Sequence, residues 1–212
     1  MTVVDNDKVS RVIRAAGEAK VVAAVKSRTV EDILELKRCG VKIVGENRVQ
    51  ELLSKYGEDG LGLEWHFIGN LQTNKVKYIV DKVSMIQSVD REALGLEIDK
   101  QCARRGIVMD ILVEVNMGEE SKGGVALSEL EGLLSFVSGL KFVSLKGLMF
   151  IPPLGSGAAV YKKIQDIFNL YKDKFCLKYL SAGMSGDYEL ALECGANIIR
   201  PGSILFSEGG KK

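Results

Sequence analysis

The sequence predicts an α/β protein, a single-domain (β/α)8 TIM barrel spanning residues 1–212, and three observations carry that expectation. Short apolar, β-branched segments alternate with longer stretches of helical period along the whole chain, the pattern of parallel strands joined by crossover helices. Eight such units follow one another, which favours a closed barrel over an open doubly wound sheet, although about 250 residues is more typical for a barrel. No GxGxxG follows the first strand, as a dinucleotide-binding sheet needs. Instead, glycine-bearing turns able to hold a phosphate follow the last two strands, where closed barrels hold one.

The strands are expected at residues 21–25, 41–45, 65–69, 83–87, 109–115, 142–148, 177–181 and 196–200. Between the first two, the run Val30 to Lys37 places Ile33, Leu36 and Lys37 at turn spacing, and Arg91 to Ile98 does the same with Leu94 and Ile98. Thr29 stands before the first crossover helix, Asp90 before the fourth, and Ser185 or Asp187 before the seventh, all side chains that cap exposed helix amides. Gly40 and Gly195 stand just beyond helices one and seven, where a left-handed residue is easiest for glycine. The segment Ile151 to Gly157, rich in breakers, falls after a strand, where a barrel keeps its functional loops.

Composition excludes several classes of function. With 29 Lys and Arg against 28 Asp and Glu, the formal charge of +1 gives no attraction to nucleic acid or anionic membrane. Cys39, Cys102, Cys176 and Cys194 form no CxxC pair and read as reduced, buried small hydrophobes. Residues Met1 to Lys8 carry acids where a signal peptide needs a basic region, and no run reaches membrane-spanning length, so a soluble cytoplasmic protein is expected. His66 is the only histidine; it lies in an apolar strand between Trp65 and Phe67 and reads as a satisfied core or rim residue. One histidine without paired cysteines makes a zinc site improbable, and no nucleophile elbow supports a serine triad.

In a barrel, the residues that end each strand converge on one rim. Here those ends supply Lys26, Glu46 to Arg48, His66 to Asn70, Ser88, Asn116, Met149 and Phe150, Ser181 to Asp187, and Arg200 to Ser203. Desolvation at an apolar rim favours the neutral form of an amine, the form that attacks a carbonyl. The amides of Met184, Ser185 and Gly186 can point at a phosphate, the Ser185 and Ser203 hydroxyls add donors, and Gly202 lets the backbone approach the same group. A lysine opposite two such turns suggests covalent capture of a phosphorylated aldehyde. Arg200 stays protonated and can only donate.

The segments Val22 to Lys26, Gly45 to Glu51, His66 to Lys75, Leu180 to Asp187 and Ile199 to Ser203 resemble, in order along nearly the whole chain, the pyridoxal 5'-phosphate homeostasis protein family. That resemblance implies the barrel of the alanine racemase N-terminal domain, with pyridoxal 5'-phosphate as cofactor and no known catalytic turnover. It implies that Lys26 carries the cofactor as a Schiff base, and that Ser185, Gly202 and Ser203 hold its phosphate. Arg200 then faces the pyridine nitrogen and Asn47 lies beside the ring. Departures are Pro201 and Ser203, where the family has isoleucine and threonine, Val25 in place of a serine, and no proline after Thr29. The Pro201 change removes an amide from the phosphate turn.

Two classes of function follow from the resemblance. A carrier holds the reactive aldehyde and delivers it to apo enzymes that depend on it, whereas a racemase-like enzyme acts on amino acids. Racemases of this fold have a second, β-rich domain whose tyrosine, from a partner subunit, is one of two opposed bases; this chain ends at Lys212, soon after strand eight. With Lys26 as the single candidate base, the carrier is the expected function, in a monomer with neither nucleic acid nor membrane as a partner. An aldolase using a lysine imine is a third reading and would bind no coloured cofactor.

Overall fold

The computed structural model describes residues 2–118, 123–153 and 155–208; Leu154 of the breaker-rich loop and the terminal Lys212 lie outside the described residues. In chain order the elements are β1 (Thr2–Val4), α1 (Asn6–Ala16), β2 (Lys20–Ala24), α2 (Val30–Arg38), β3 (Ile43–Glu46), α3 (Val49–Tyr56), β4 (Glu64–Phe67), β5 (Met85–Val89) and α4 (Glu92–Ala103). There follow β6 (Met109–Asn116), β7 (Val125–Ala126), α5 (Leu130–Ser138), β8 (Val143–Phe150), α6 (Ala158–Lys172), β9 (Tyr179–Ser181), α7 (Tyr188–Glu193), β10 (Ile198–Ile199) and β11 (Phe206–Glu208).

Eight parallel strands close the barrel in the order β2, β3, β4, β5, β6, β8, β9, β10, with β10 returning to β2 through Ile198 opposite Lys20. Each strand expected from sequence falls on one of these eight. The crossover after β4 is a 3-10 turn, Thr73–Tyr78, rather than an α-helix. Two further pieces lie outside the pattern: β7 pairs with the end of β6, and β1 with β11 forms an antiparallel ribbon that ties the two ends of the chain together.

The two faces of each strand bury different layers. One apolar cluster lies inside the barrel and takes Val22, Ile43, Ile68, Met85, Leu112, Met149 and Ile198, so the lumen is packed rather than open. A larger cluster lies between strands and helices and includes Ala23, Val25, Val44, Trp65, Phe67, Ile111 and Val113. Strand alternation fixes this division. Helix ends follow the expected chemistry in part. Thr29 caps α2 in a reciprocal box with Asp32, and Gly40 and Gly195 take left-handed conformations at φ of 96° and 85°. Asp90 does not cap α4: its carboxylate pairs with Arg91, which itself donates to the Leu71 carbonyl at 2.9 Å. The four cysteines are free, but only Cys102 is buried, and Cys176 is exposed. Among the described residues no helix is long and apolar enough to cross a membrane, and no cluster of side chains could hold a metal ion.

Candidate functional site

The C-terminal end of β2 is tied directly to the turn after β10. Ala24 N donates to Pro201 O at 2.8 Å, and a Cβ added at Gly202 would sit 3.4 Å from the Ala24 methyl group. Pro201 has no amide to give, but its carbonyl is what registers this turn against β2. The turn after β9 joins the same assembly. Ser185 Oγ accepts from the Gly202 amide at 2.9 Å and from the Ile204 amide at 3.2 Å, leaving its own proton to be donated elsewhere. Gly183 occupies φ of 94° where this turn leaves β9, and the space in front of Gly186 is open. The structure therefore brings Ser185, Gly202, Ser203 and the strand leading to Lys26 to one rim.

Two residues sit differently from the sequence expectation. Lys26 lies in the turn after β2 and is exposed rather than desolvated. The Met184 amide is already occupied, donating to Asp187 Oδ1 at 2.6 Å, and Asp187 rather than Ser185 is the residue that precedes α7.

Asn47 follows β3, and Gly69 makes its position possible: a Cβ on Gly69 would lie 2.2 Å from the Asn47 carbonyl oxygen. The Asn47 backbone is held by its own neighbour, Glu46 Oε1 accepting its amide at 2.7 Å. Its Oδ1 and the Ser88 hydroxyl, at the ends of β3 and β5, are buried with no protein partner. Buried polar atoms are nearly always satisfied, so orphaned ones on one rim fit a polar ligand. Together with an exposed amine and two tethered turns they fit the aldehyde, phosphate and polar ring substituents of pyridoxal 5'-phosphate.

Arg200 leaves β10 into the lumen with only 4% of its surface exposed. One terminal nitrogen donates to Ser181 Oγ at 2.6 Å and the other to Phe150 O at 2.8 Å. From Ser181 a hydrogen-bonded string crosses the barrel: Ser181 Oγ donates to Gln87 Oε1 at 2.7 Å, Gln87 Nε2 to His66 Nδ1 at 2.8 Å, and His66 Nε2 to Glu64 Oε1 at 2.9 Å. The proton positions follow from the network itself. Every donor points from the guanidinium toward the carboxylate, and members of such a string polarise one another. Burial lowers the His66 pKa and keeps the ring neutral, and the bond from His66 holds Glu64 down at about 2. His66 is thus a satisfied interior residue, as its sequence setting suggested.

Sequence reasoning missed Gln87, Glu64 and Glu114. Glu114, near the end of β6, is 6% exposed, and burial followed by the Asp90 charge pushes its carboxyl up to about 7 against a smaller opposing effect of Arg200. Burial also draws Arg200 down to about 10, which leaves it cationic at neutral pH. A polar residue at lumen parity within an apolar strand is the signal that could have found Gln87 and Glu114.

Comparison with known proteins agrees with this geometry. Residues 6–208 match the family described as alanine racemase, N-terminal domain. A pyridoxal phosphate homeostasis protein of Aquifex aeolicus (strain VF5) is 45% identical over 198 residues, covering 90% of this chain and 87% of its own length. That of Escherichia coli (strain K12) is 32% identical, covering 94% and 92%. The structure of PipY of Synechococcus elongatus PCC7942 with pyridoxal phosphate bound superposes with a TM-score of 0.87 at 30% identity, covering 96% of this chain and all of that one. An alanine racemase of Corynebacterium glutamicum, at 16% identity and a TM-score of 0.77, shares the fold; this chain covers 62% of it. The chain belongs to the alanine racemase N-terminal domain family and, within it, to the pyridoxal phosphate homeostasis proteins.

Proposed function

We propose that this protein binds pyridoxal 5'-phosphate covalently on Lys26 and serves to hold the cofactor and deliver it to apo enzymes in the cytoplasm. The observation that carries the reading is the tether between the three rim segments: Ala24 to Pro201 and Ser185 to Gly202. It ties the strand that leads to Lys26 to two turns whose hydroxyls and amides suit a phosphate. When bound, the cofactor supplies an aldehyde with which a primary amine condenses, losing water. Ser185, Gly202 and Ser203 would hold the phosphate, with Met184 joining only if Asp187 releases its amide. Asn47 would satisfy its orphaned Oδ1 on a ring substituent. Arg200 donates only, so a ring nitrogen held against it stays an unprotonated acceptor and a poor electron sink. That favours storage over turnover.

The test is the visible spectrum of the purified protein before and after borohydride reduction, followed by digestion and mass mapping of the adduct. We expect the reduced adduct on Lys26. An adduct mainly on another lysine, such as Lys75, would overturn the assignment. Transfer is tested by reactivating an apo enzyme that requires the cofactor.

One observation favours the second reading, a racemase-like enzyme: Glu114, with a carboxyl near neutrality and within electrostatic reach of Arg200, is a group that could exchange a proton.

A further inference from the structure

Lys26 occupies the second position of a β-turn closed by Arg28 N donating to Val25 O at 3.1 Å. The third position, Ser27, has φ of 58°, a left-handed conformation that such turns normally give to glycine. A non-glycine residue there is strained and persists only where its surroundings over-determine it. Its surroundings do so here. Glu51 on α3 accepts the Ser27 amide at 3.0 Å through Oε2. Lys55, one turn further along α3 and 8% exposed, donates to Val25 O at 2.9 Å, to the same Glu51 Oε2 at 2.9 Å and to Glu46 Oε2 at 2.7 Å. These three bonds use all three ammonium hydrogens. Glu46, fully buried, spends its other oxygen on the Asn47 amide.

We infer that Glu46 at the end of β3, together with Lys55 and Glu51 on α3, forms a positioning triad for cofactor attachment, gripping the backbone on both sides of Lys26 and at Asn47. The inference rests on the proposed covalent role of Lys26. Stability alone does not require such a device. A lysine that only closed the layer between α3 and the barrel would have no reason to bracket a strained turn. Preorganising an amine for attack is worth most when the reacting group lies on an exposed turn, as Lys26 does.

The experiment compares Glu51→Ala and Glu51→Gln with the unaltered protein for two ligands. Pyridoxal 5'-phosphate can attach to Lys26; pyridoxamine 5'-phosphate has the same ring and phosphate but an amine in place of the aldehyde, and cannot. We expect Glu51→Ala to weaken pyridoxal 5'-phosphate retention about ten-fold and to slow growth of the covalent absorption band, while pyridoxamine 5'-phosphate affinity stays within about two-fold. Glu51→Gln keeps an oxygen for the Ser27 amide and a similar shape, and should recover most of the loss. Equal weakening for both ligands, no weakening in Glu51→Ala, or a Glu51→Gln variant as impaired as Glu51→Ala would overturn the triad's role. If Lys26→Ala retains pyridoxal 5'-phosphate as well as the unaltered protein, the covalent reading itself fails, and the triad's role with it.

Discussion

Ser185 Oγ accepts the Gly202 amide at 2.9 Å, so the turn after β9 is locked to the turn after β10 before any ligand arrives. The same oxygen takes the Ile204 amide at 3.2 Å, which makes Ser185 a support for the rim and leaves its own proton for the proposed phosphate. Ser203, exposed at the start of its 3-10 turn, has no comparable structural role.

Ser185→Ala and Ser203→Ala are therefore unequal substitutions. On the proposed site each deletes a donor to a charged group, worth roughly 1.5 to 3 kcal/mol, so each should weaken cofactor retention by about ten-fold or more. Ser185→Ala additionally leaves two amides without their acceptor and should cost the fold about 1 kcal/mol or more. Urea unfolding of the two variants without ligand, alongside their affinities for pyridoxal 5'-phosphate and for pyridoxal, checks this. Equal affinity of the unaltered protein for the two ligands would reduce both turns to ordinary caps.

The interior string from Arg200 to Glu64 makes a second expectation concrete. Gln87→Leu leaves the Ser181 hydroxyl and His66 Nδ1 facing a hydrocarbon in a site with no exposed surface. A buried group stripped of its partner costs about 1 to 3 kcal/mol each, so the variant should be clearly less stable. It should also shift the absorption of bound cofactor if Arg200 loses its orientation at the ring. Urea midpoints and visible spectra give the two readouts, and a Gln87→Leu variant as stable as the unaltered protein would deny the string its structural weight.

The barrel was legible in the sequence because its strands are short β-branched runs whose hydrophobic signal is local, and all eight could be placed from it. Helix α1 was not anticipated: Val9, Val12 and Ala16 do recur at helical spacing and are buried, but they lie among charged residues in a segment that precedes the first barrel strand. The ribbon of β1 and β11 joins Val4 to Phe206, a pairing of two three-residue strands that no local pattern announces. Of the proposed site, Lys26, Asn47, Ser185, Arg200, Gly202 and Ser203 could be placed near strand ends from the sequence. The string from Arg200 was not, because its partners Ser181, Gln87 and His66 lie on separate strands and meet only through the lumen. The triad under Lys26 was hidden for a related reason: Lys55 and Glu51 read as an ordinary i, i+4 pair on a helix surface.

Glu114 should give stability an unusual pH dependence. Its folded-state pKa, near 7, lies above the ordinary glutamate value of 4.5, so the folded protein binds this proton more tightly than the unfolded chain. The stabilisation is complete below the ordinary value and is lost as pH rises through 7. From that interval, at about 1.36 kcal/mol per pH unit, the loss is up to about 3 kcal/mol for this one group. Glu114→Gln should flatten the difference in urea stability between pH 5 and pH 8 and be the more stable variant at pH 8. A fall between those pH values as steep in Glu114→Gln as in the unaltered protein would place the titration elsewhere.

The choice between carrier and racemase turns on proton transfer at the amino-acid α-carbon. Arg200 stays cationic at neutral pH despite its burial and can only donate, which, if it faces the ring nitrogen as proposed, disfavours a protonated ring and the carbanion it would stabilise. Among the described residues near it, Glu114 is an interior acid whose carboxyl, raised to about 7, has a proton to exchange at neutral pH. Incubating the loaded protein with alanine, serine and other amino acids in heavy water, and following deuterium uptake and loss of chirality, separates the two functions. We expect negligible exchange, together with reactivation of an apo enzyme by the loaded protein. Exchange at about 1 per second or faster, a rate typical of enzymes, would establish turnover. If such exchange then disappeared in Glu114→Gln while the covalent absorption band remained, Glu114 would be identified as the second acid-base group that Lys26 needs.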